Sequence, residues 1–284
     1  MTDLAPSPRP FSLRRMSKRI PLTLTIGAAI TLLWIALAVL APLLTGYDPV
    51  KVDVLQALKP PSATHWLGSD AIGRDVLTRV LYGARCDLAM AFFGVVGPII
   101  LGTFIGLVSG YLGGWTDDVL MRILEVTISF PYFVLVIAIV AVLGPGLTSY
   151  FISLTLVNWV SYARLVRSQT LVLREADFIL AARTMGLSHG RIMFSHILPN
   201  AIVPSIVFVM TDAVLTIVLG SSLGFLGLGV QPPTPEWGAM IAEGQTYLTT
   251  AWWISVFPGL AVCSLALGLS LAADGLARLL HTGP

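Results

Sequence analysis

Charge is what this sequence has least of. Asp, Glu, Lys and Arg make up 11% of its 284 residues and apolar types 56%, against about 25% and roughly 45–50% in an ordinary soluble domain. So little polar surface cannot cover a folded chain in water, which excludes a soluble globular protein. Cysteine is nearly absent as well: Cys86 and Cys263 are the two, and neither sits in a ligand-spaced cluster, so no disulfide framework or metal site is expected. They read as small apolar fillers. The four histidines, His65, His189, His196 and His281, are dispersed without zinc or triad spacing. No catalytic constellation, metal site, cofactor or nucleic-acid partner is expected.

What is present is long apolar runs. Uncharged or nearly uncharged blocks fall at Leu22–Leu44, Leu88–Leu112, Val126–Ala163, Ile197–Gly229 and Thr246–Ala273, and about 20 apolar residues are what a bilayer's hydrocarbon core demands. The third block is too long for one crossing, and Gly144-Pro145-Gly146 breaks it where a turn forms most easily. The expected fold is therefore all-α: a polytopic membrane protein with six transmembrane helices. Trp252 and Trp253 suggest that the last block starts with an interfacial stretch. The first block exceeds the apolar region of a signal peptide and is expected to remain as a helix.

Lys and Arg placement sets orientation. With the N-terminus inside, twelve of the seventeen fall on cytoplasmic segments, among them Arg14, Arg15, Lys18, Arg19, Arg122, Arg164, Arg167, Arg174, Arg183 and Arg191. The other five, Lys51, Lys59, Arg74, Arg79 and Arg85, share one outer loop with Asp48, Asp53, Asp70, Asp75 and Asp87. The expected organisation is a cytoplasmic tail over 1–21, a first crossing over 22–44, an extracytoplasmic loop over 45–87, a five-helix core over 88–273, and a cytoplasmic tail over 274–284. Both termini then face the cytoplasm.

Uphill transport needs an ion gradient or nucleotide hydrolysis. The chain has no GxxxxGK[ST] phosphate loop, and Gly224, Gly227 and Gly229 lie in an apolar run with no neighbouring lysine, so they read as helix-packing or helix-breaking positions. If ATP drives this protein, a partner must hydrolyse it. The informative stretch is the basic loop 164–199 between the fourth and fifth crossings. Phe178, Ala181, Ala182 and Met185 recur at helical spacing, with Arg174, Asp177 and Arg183 elsewhere. Gly186 is placed as a C-cap and Ser188 as an N-cap, and Ile192, Phe194 and Ile197 form a second short apolar run before Pro199. The reading is helix, sharp bend, short helix; a basic surface helix on anionic lipid is the alternative.

Ala181-Ala182, Gly186 and then His196-Ile197-Leu198-Pro199-Asn200 resemble the signature loop of the permease subunits of ATP-binding-cassette importers. In that family the loop forms coupling helices that dock into the ATPase subunit. Leu180 stands where the family usually has glutamate, and the His-Ile-Leu-Pro-Asn ending is common in peptide permeases. His65-Trp66-Leu67-Gly68-Ser69-Asp70 with Gly73-Arg74-Asp75-Val76-Leu77 and Tyr82-Gly83-Ala84-Arg85 resembles the approach to the second span of the second, C-type permease of dipeptide, oligopeptide and nickel importers. Gly110-Tyr111-Leu112-Gly113-Gly114-Trp115 and Phe225-Leu226-Gly227-Leu228-Gly229-Val230-Gln231-Pro232-Pro233 with Trp237-Gly238 are similar to further stretches of that family. Asp274-Gly275-Leu276 is retained, but the terminal charged run is not.

The resemblance implies the type I ABC-importer permease fold in a bacterial cytoplasmic (inner) membrane. It also implies three kinds of partner besides lipid: a second homologous permease, two ATP-binding-cassette ATPase subunits and an extracytoplasmic substrate-binding protein. The residues it marks for ATPase coupling are Ala181, Ala182, Gly186, Ser188, Ile192, His196, Leu198 and Pro199. Peptides are the expected cargo; nickel, glutathione or another small solute, and an ion-coupled secondary transporter, are the alternatives.

Other readings come from the residues themselves. Gly102, Gly106 and Gly110 repeat every four residues and line up a groove for another helix. The prolines and glycines between Tyr47 and Arg85 suit an ordered extramembrane cap, which could contact a binding protein. Gln231-Pro232-Pro233-Thr234-Pro235 is a rigid outer turn. Asp212 is the one charge in the fourth block, where an acid costs about 2.5–3.5 kcal/mol on insertion scales. Either it faces a water-filled translocation path and meets a peptide's amino group or basic side chain, or it hydrogen-bonds a neighbouring helix. Arg122 and Glu125 form an i,i+3 pair of structural character.

Overall fold

The computed structural model describes residues 21–281, so the expected N-terminal tail with its basic cluster, and residues 282–284, lie outside the described residues. Eleven α-helices are described, α1 to α11 in chain order, and the remaining contact of β type is one isolated bridge between Ser69 and Asp75.

Helix α1 (Leu22–Leu44) coincides with the first apolar block. It lies against α11 (Trp253–His281), where Gly27 faces the backbone of Leu271 and Ala272 and Gly268 faces Ile30. Small residues on both helices allow this close approach, and Trp34 Nε1 donates to Ser264 Oγ at 2.9 Å across the seam. The outer apolar faces, including Leu32, Val39 and Leu43, stay exposed, as surfaces facing lipid must.

Helix α2 (Val76–Leu112) is the hub. It starts well before the apolar block at Leu88, because Asp75 caps it, accepting from Thr78 N at 2.8 Å, and because Arg79 and Asp87 are buried among partners rather than left in a loop. Its 37 residues give a rod of about 55 Å, longer than the ~30 Å hydrocarbon core. Along its second half Gly102, Gly106 and Gly110 receive α5 (Leu147–Leu173): a Cβ on Gly106 would meet Ala163 Cα at 3.0 Å, and one on Gly110 Thr170 Cβ at 2.8 Å. The glycine groove is thus filled as its spacing implied.

The third apolar block is not one continuous helix before its Gly-Pro-Gly turn. Helix α3 (Gly114–Ile128) and α4 (Tyr132–Leu143) meet at a 90° bend. Pro131 lacks an N–H and disfavours helical geometry at Phe130, and Ser129 Oγ turns back to Glu125 O at 2.8 Å. Alone, the 12 residues of α4 reach about 18 Å, too short to cross. Four described helices, α1, α2, α11 and α9 (Val203–Phe225), are long and apolar enough to cross a membrane, or five if the bent pair counts as one span. Helix α5, 27 residues long, is not among them: it is less apolar, because it turns Ser149, Ser153, Asn158 and Thr170 into the bundle. Six were expected.

The loop ahead of α2 is an ordered cap. Asp70 accepts from Arg74 N at 2.9 Å and pairs with the Arg74 guanidinium, while Arg74 and Arg79 both reach Glu243 on α10 (Trp237–Gln245), at 2.7 and 3.2 Å. His65 Nδ1 meets Asp75 Oδ1 at 2.9 Å. Trp253 is buried and donates to Ser69 O at 3.1 Å; it anchors the cap, whereas Trp252 is the exposed member of the pair expected at an interface. At the far end, the stretch from Asp274 to His281 continues α11 rather than forming a separate tail, since Leu24 of α1 packs on Gly275.

Candidate functional site

Helix α5 runs on to Leu173, so the segment expected to open a loop at Arg164 is still helical. Arg167 accounts for this: its Nε and Nη2 donate to Asp117 Oδ1 and Oδ2 at 2.7 and 2.6 Å, a fork-to-fork pair that ties α5 to α3. Asp117 also accepts from Ser109 Oγ on α2. Arg122 and Glu125 pair on the exposed surface at 2.9 Å.

The loop proper begins with α6 (Asp177–Thr184), which carries Asp177 in its first turn and Arg183 in its last, both suited to the helix dipole. The helix ends in a Schellman motif, with Leu187 N donating to Ala182 O at 3.2 Å and Gly186 N to Arg183 O at 3.0 Å. Gly186 has φ +76°, the left-handed geometry its place beyond the helix demands. Ser188 then caps α7 (His189–Arg191), its Oγ accepting from Arg191 N at 3.4 Å. The chain continues through a π-helical turn over Ile192–Ile197 into α8 (Leu198–Ala201). Pro199 cannot supply an N–H there, a local reason for the widened turn.

The faces sort differently from the expected stripe. Ile179 and Ala182 are buried with Ile192 and Ile197 against Leu107 and Val166, and His196 and Leu198 are half-buried. Phe178, Ala181 and Met185 point outward with Leu180 and Phe194, and Gly186 and Pro199 are exposed too. Spacing put Phe178, Ala181, Ala182 and Met185 on one side, but the bundle floor takes only Ala182, together with Ile179 three residues before it. The result is an apolar outer surface on a segment held from beneath.

Asp212 stands apart from this loop, on α9. It is 3% exposed and accepts from Asn158 Nδ2 at 3.1 Å and Tyr162 Oη at 2.9 Å, both on α5. Its partners lie 54 and 50 residues earlier, which no spacing rule detects. Also missed from the sequence was Tyr111, whose ring contacts the loop from the end of α2. Beyond its place in the family-like stretch 110–115, its signal was an aromatic residue closing an apolar helix next to Gly113-Gly114.

A family model described as "binding-protein-dependent transport system inner membrane component" matches residues 102–283. The dipeptide transport system permease protein of Alkalihalophilus pseudofirmus is 43% identical over 251 residues, covering 88% of this chain and 83% of that protein. The glutathione transport system permease protein of Pectobacterium atrosepticum is 41% identical over 246 residues, covering 86% and 82%. Among solved structures, the MetNI methionine ABC transporter in an inward-facing conformation matches 71% of this chain and 96% of its own with a TM-score of 0.56; at 19% identity that likeness concerns the fold alone.

Proposed function

This chain belongs to the family of binding-protein-dependent transport system inner membrane components, and on that premise we propose that it is the permease subunit of an ATP-driven importer of short peptides. Similarity to relatives named for dipeptides and for glutathione, itself a small peptide, supports that cargo. The observation that carries the mechanism is the two-limbed segment around Gly186, packed on the bundle through Ile179, Ala182 and Ile192 while Phe178, Leu180, Met185 and Phe194 face outward. An apolar face on a rigid cytoplasmic element suits a docking groove on a separate ATPase subunit, whose closure on ATP would push the loop and reorient the helices.

In this reading Ala181, Gly186 and Pro199 lie at the ATPase contact, Ala182, Ile192, His196 and Leu198 shape the loop from within, and the exposed Ser188 caps its second limb. Helix α5 supplies the sixth crossing, its polar side chains turned away from lipid. Both termini are cytoplasmic, following the Lys and Arg asymmetry. A second, homologous permease completes the path, and an extracytoplasmic binding protein delivers cargo to the cap side. Asp212 reaches the path when α5 and α9 part.

Co-expression with the ATPase subunits and binding protein, followed by purification through this chain and uptake of labelled di- and tripeptides into proteoliposomes, tests the proposal. Co-purified ATPase and ATP-dependent uptake are expected. Uptake driven by a proton gradient without ATPase subunits would replace it with a secondary transporter. A reporter active only outside the cell is expected to be silent at Pro284 and active near Ala57; the reverse pattern would invert the topology.

A further inference from the structure

Tyr111, one residue before the end of α2, touches both limbs of the coupling loop. Its hydroxyl and His189 Nδ1 are hydrogen-bonded at 2.9 Å, its ring meets the imidazole edge-on at 5.7 Å, and the Arg183 guanidinium sits 5.3 Å over the ring centroid. Arg183 lies in the last turn of α6 and His189 opens the segment beyond the bend. The ring therefore bridges the two sides of Gly186. A Cβ on Gly186 would find nothing within 4 Å, so no neighbour packs on the bend at that point. Tyr111 is only 6% exposed. Beside it, Arg174 Nη1 donates to Gly110 O at 2.9 Å. The approach to the loop, the end of its first limb and the start of its second are all fastened to two consecutive residues of one long helix. At the other end of that helix, Trp237 Nε1 donates to Val80 O at 2.9 Å and Arg79 reaches Glu243, which join it to α10.

Building on the importer reading above, we propose that Tyr111 is the positioning residue through which the coupling loop moves α2. A bend at a glycine resists rotation weakly by itself. With Tyr111 in place the limbs keep their mutual angle and α2 must follow a push on either. Without it, an ATPase could still dock on Phe178 and Met185, yet the loop would yield and α2 would stay behind. Tyr111 touches neither cargo nor nucleotide; it acts through His189 and Arg183.

The experiment uses the complete transporter in proteoliposomes at matched permease levels. It reads ATPase subunits retained, hydrolysis stimulated by peptide-loaded binding protein, and peptide taken up per ATP. Tyr111→Phe keeps the ring under Arg183 and removes the hydroxyl bond, so stimulated hydrolysis should fall about 2- to 10-fold, the worth of one hydrogen bond, with ATPase retention unchanged. Tyr111→Leu removes both contacts and should uncouple further. His189→Leu should match Tyr111→Phe, His189→Gln should restore coupling by keeping a hydrogen-bonding group, and Tyr111→Phe with His189→Leu should be no worse than either alone, since one bond is lost. Losses that multiply in the double variant, losses that track missing ATPase, or full coupling in Tyr111→Leu would each overturn the role of Tyr111. A wild-type complex that holds no ATPase or imports no peptide would instead overturn the importer reading.

Discussion

The Tyr162 hydroxyl donates to Asp212 Oδ2 at 2.9 Å and so joins α5 to α9 inside the bundle. A charged acceptor makes this bond worth about 1.5–3 kcal/mol, and Tyr162→Phe should lower the thermal stability of the purified permease accordingly. Asp212→Asn keeps the shape and removes the charge. If the carboxylate meets cargo when the helices part, that variant should assemble normally and import basic peptides more poorly than neutral ones. Equal uptake of both would leave Asp212 a packing residue.

Gly186→Val tests the bend. At φ +76° a side chain is strained by roughly 1–2 kcal/mol or more even in open space. The strain lies outside the bundle, so abundance and membrane insertion should stay near normal while ATPase co-purification and stimulated hydrolysis drop. Replacing Ala182, 3% exposed, with a large residue should also disturb docking, by lifting α6 off its floor. Normal docking in both variants would make the loop a lipid-surface element.

Glycines in the membrane differ in what they permit. Gly106→Ala would press a methyl group onto the Ala163 backbone and should reduce the yield of folded permease, an overpacking cost of about 1–3 kcal/mol. A Cβ on Gly259, inside α11, would find nothing within 4 Å. Gly259→Ala should be neutral or stabilise by up to about 1 kcal/mol through helix propensity. Similar yields for the two variants would argue against the α2–α5 groove.

Glu236 gives a pH dependence. It is 1% exposed and accepts from Gly238 N at 2.6 Å and Ala239 N at 2.8 Å, capping α10. Burial outweighs these bonds and pushes its pKa from 4.5 up to about 7, and the group titrates jointly with the neighbouring buried carboxyl of Asp87. The folded protein therefore holds this proton more tightly than the unfolded chain. The resulting stability is complete below pH 4.5 and is lost as pH rises through about 7. Thermal stability of the wild type should decline from about pH 5 to about pH 8, and Glu236→Gln, which cannot ionise, should flatten that decline. An unchanged slope in the variant would assign the dependence to another group.

Local features were legible in the chain itself. Helix α1 falls at its predicted bounds because a crossing needs only enough consecutive apolar residues. The groove of Gly102, Gly106 and Gly110, the turn at Gly144 and Gly146, the left-handed Gly186 and the Ser188 cap also follow from short-range rules about Cβ clashes and unpaired backbone groups. The bend before Pro131 carries the same kind of signal, hidden in a continuous apolar run.

What the bundle decided is which surface covers which face. Periodicity marks Phe178, Ala182 and Met185 as apolar, but lipid, a partner and the protein's own floor all accept apolar side chains, so only packing separates buried Ala182 from exposed Met185. The polar contacts are more distant still. Tyr111 meets His189 78 positions away, Arg74 meets Glu243 169 away and Trp253 meets Ser69 184 away. A donor left without an acceptor in a low-dielectric interior is costly. The sequence states that need at every polar residue, and the choice of partner exists only once the helices have been brought together.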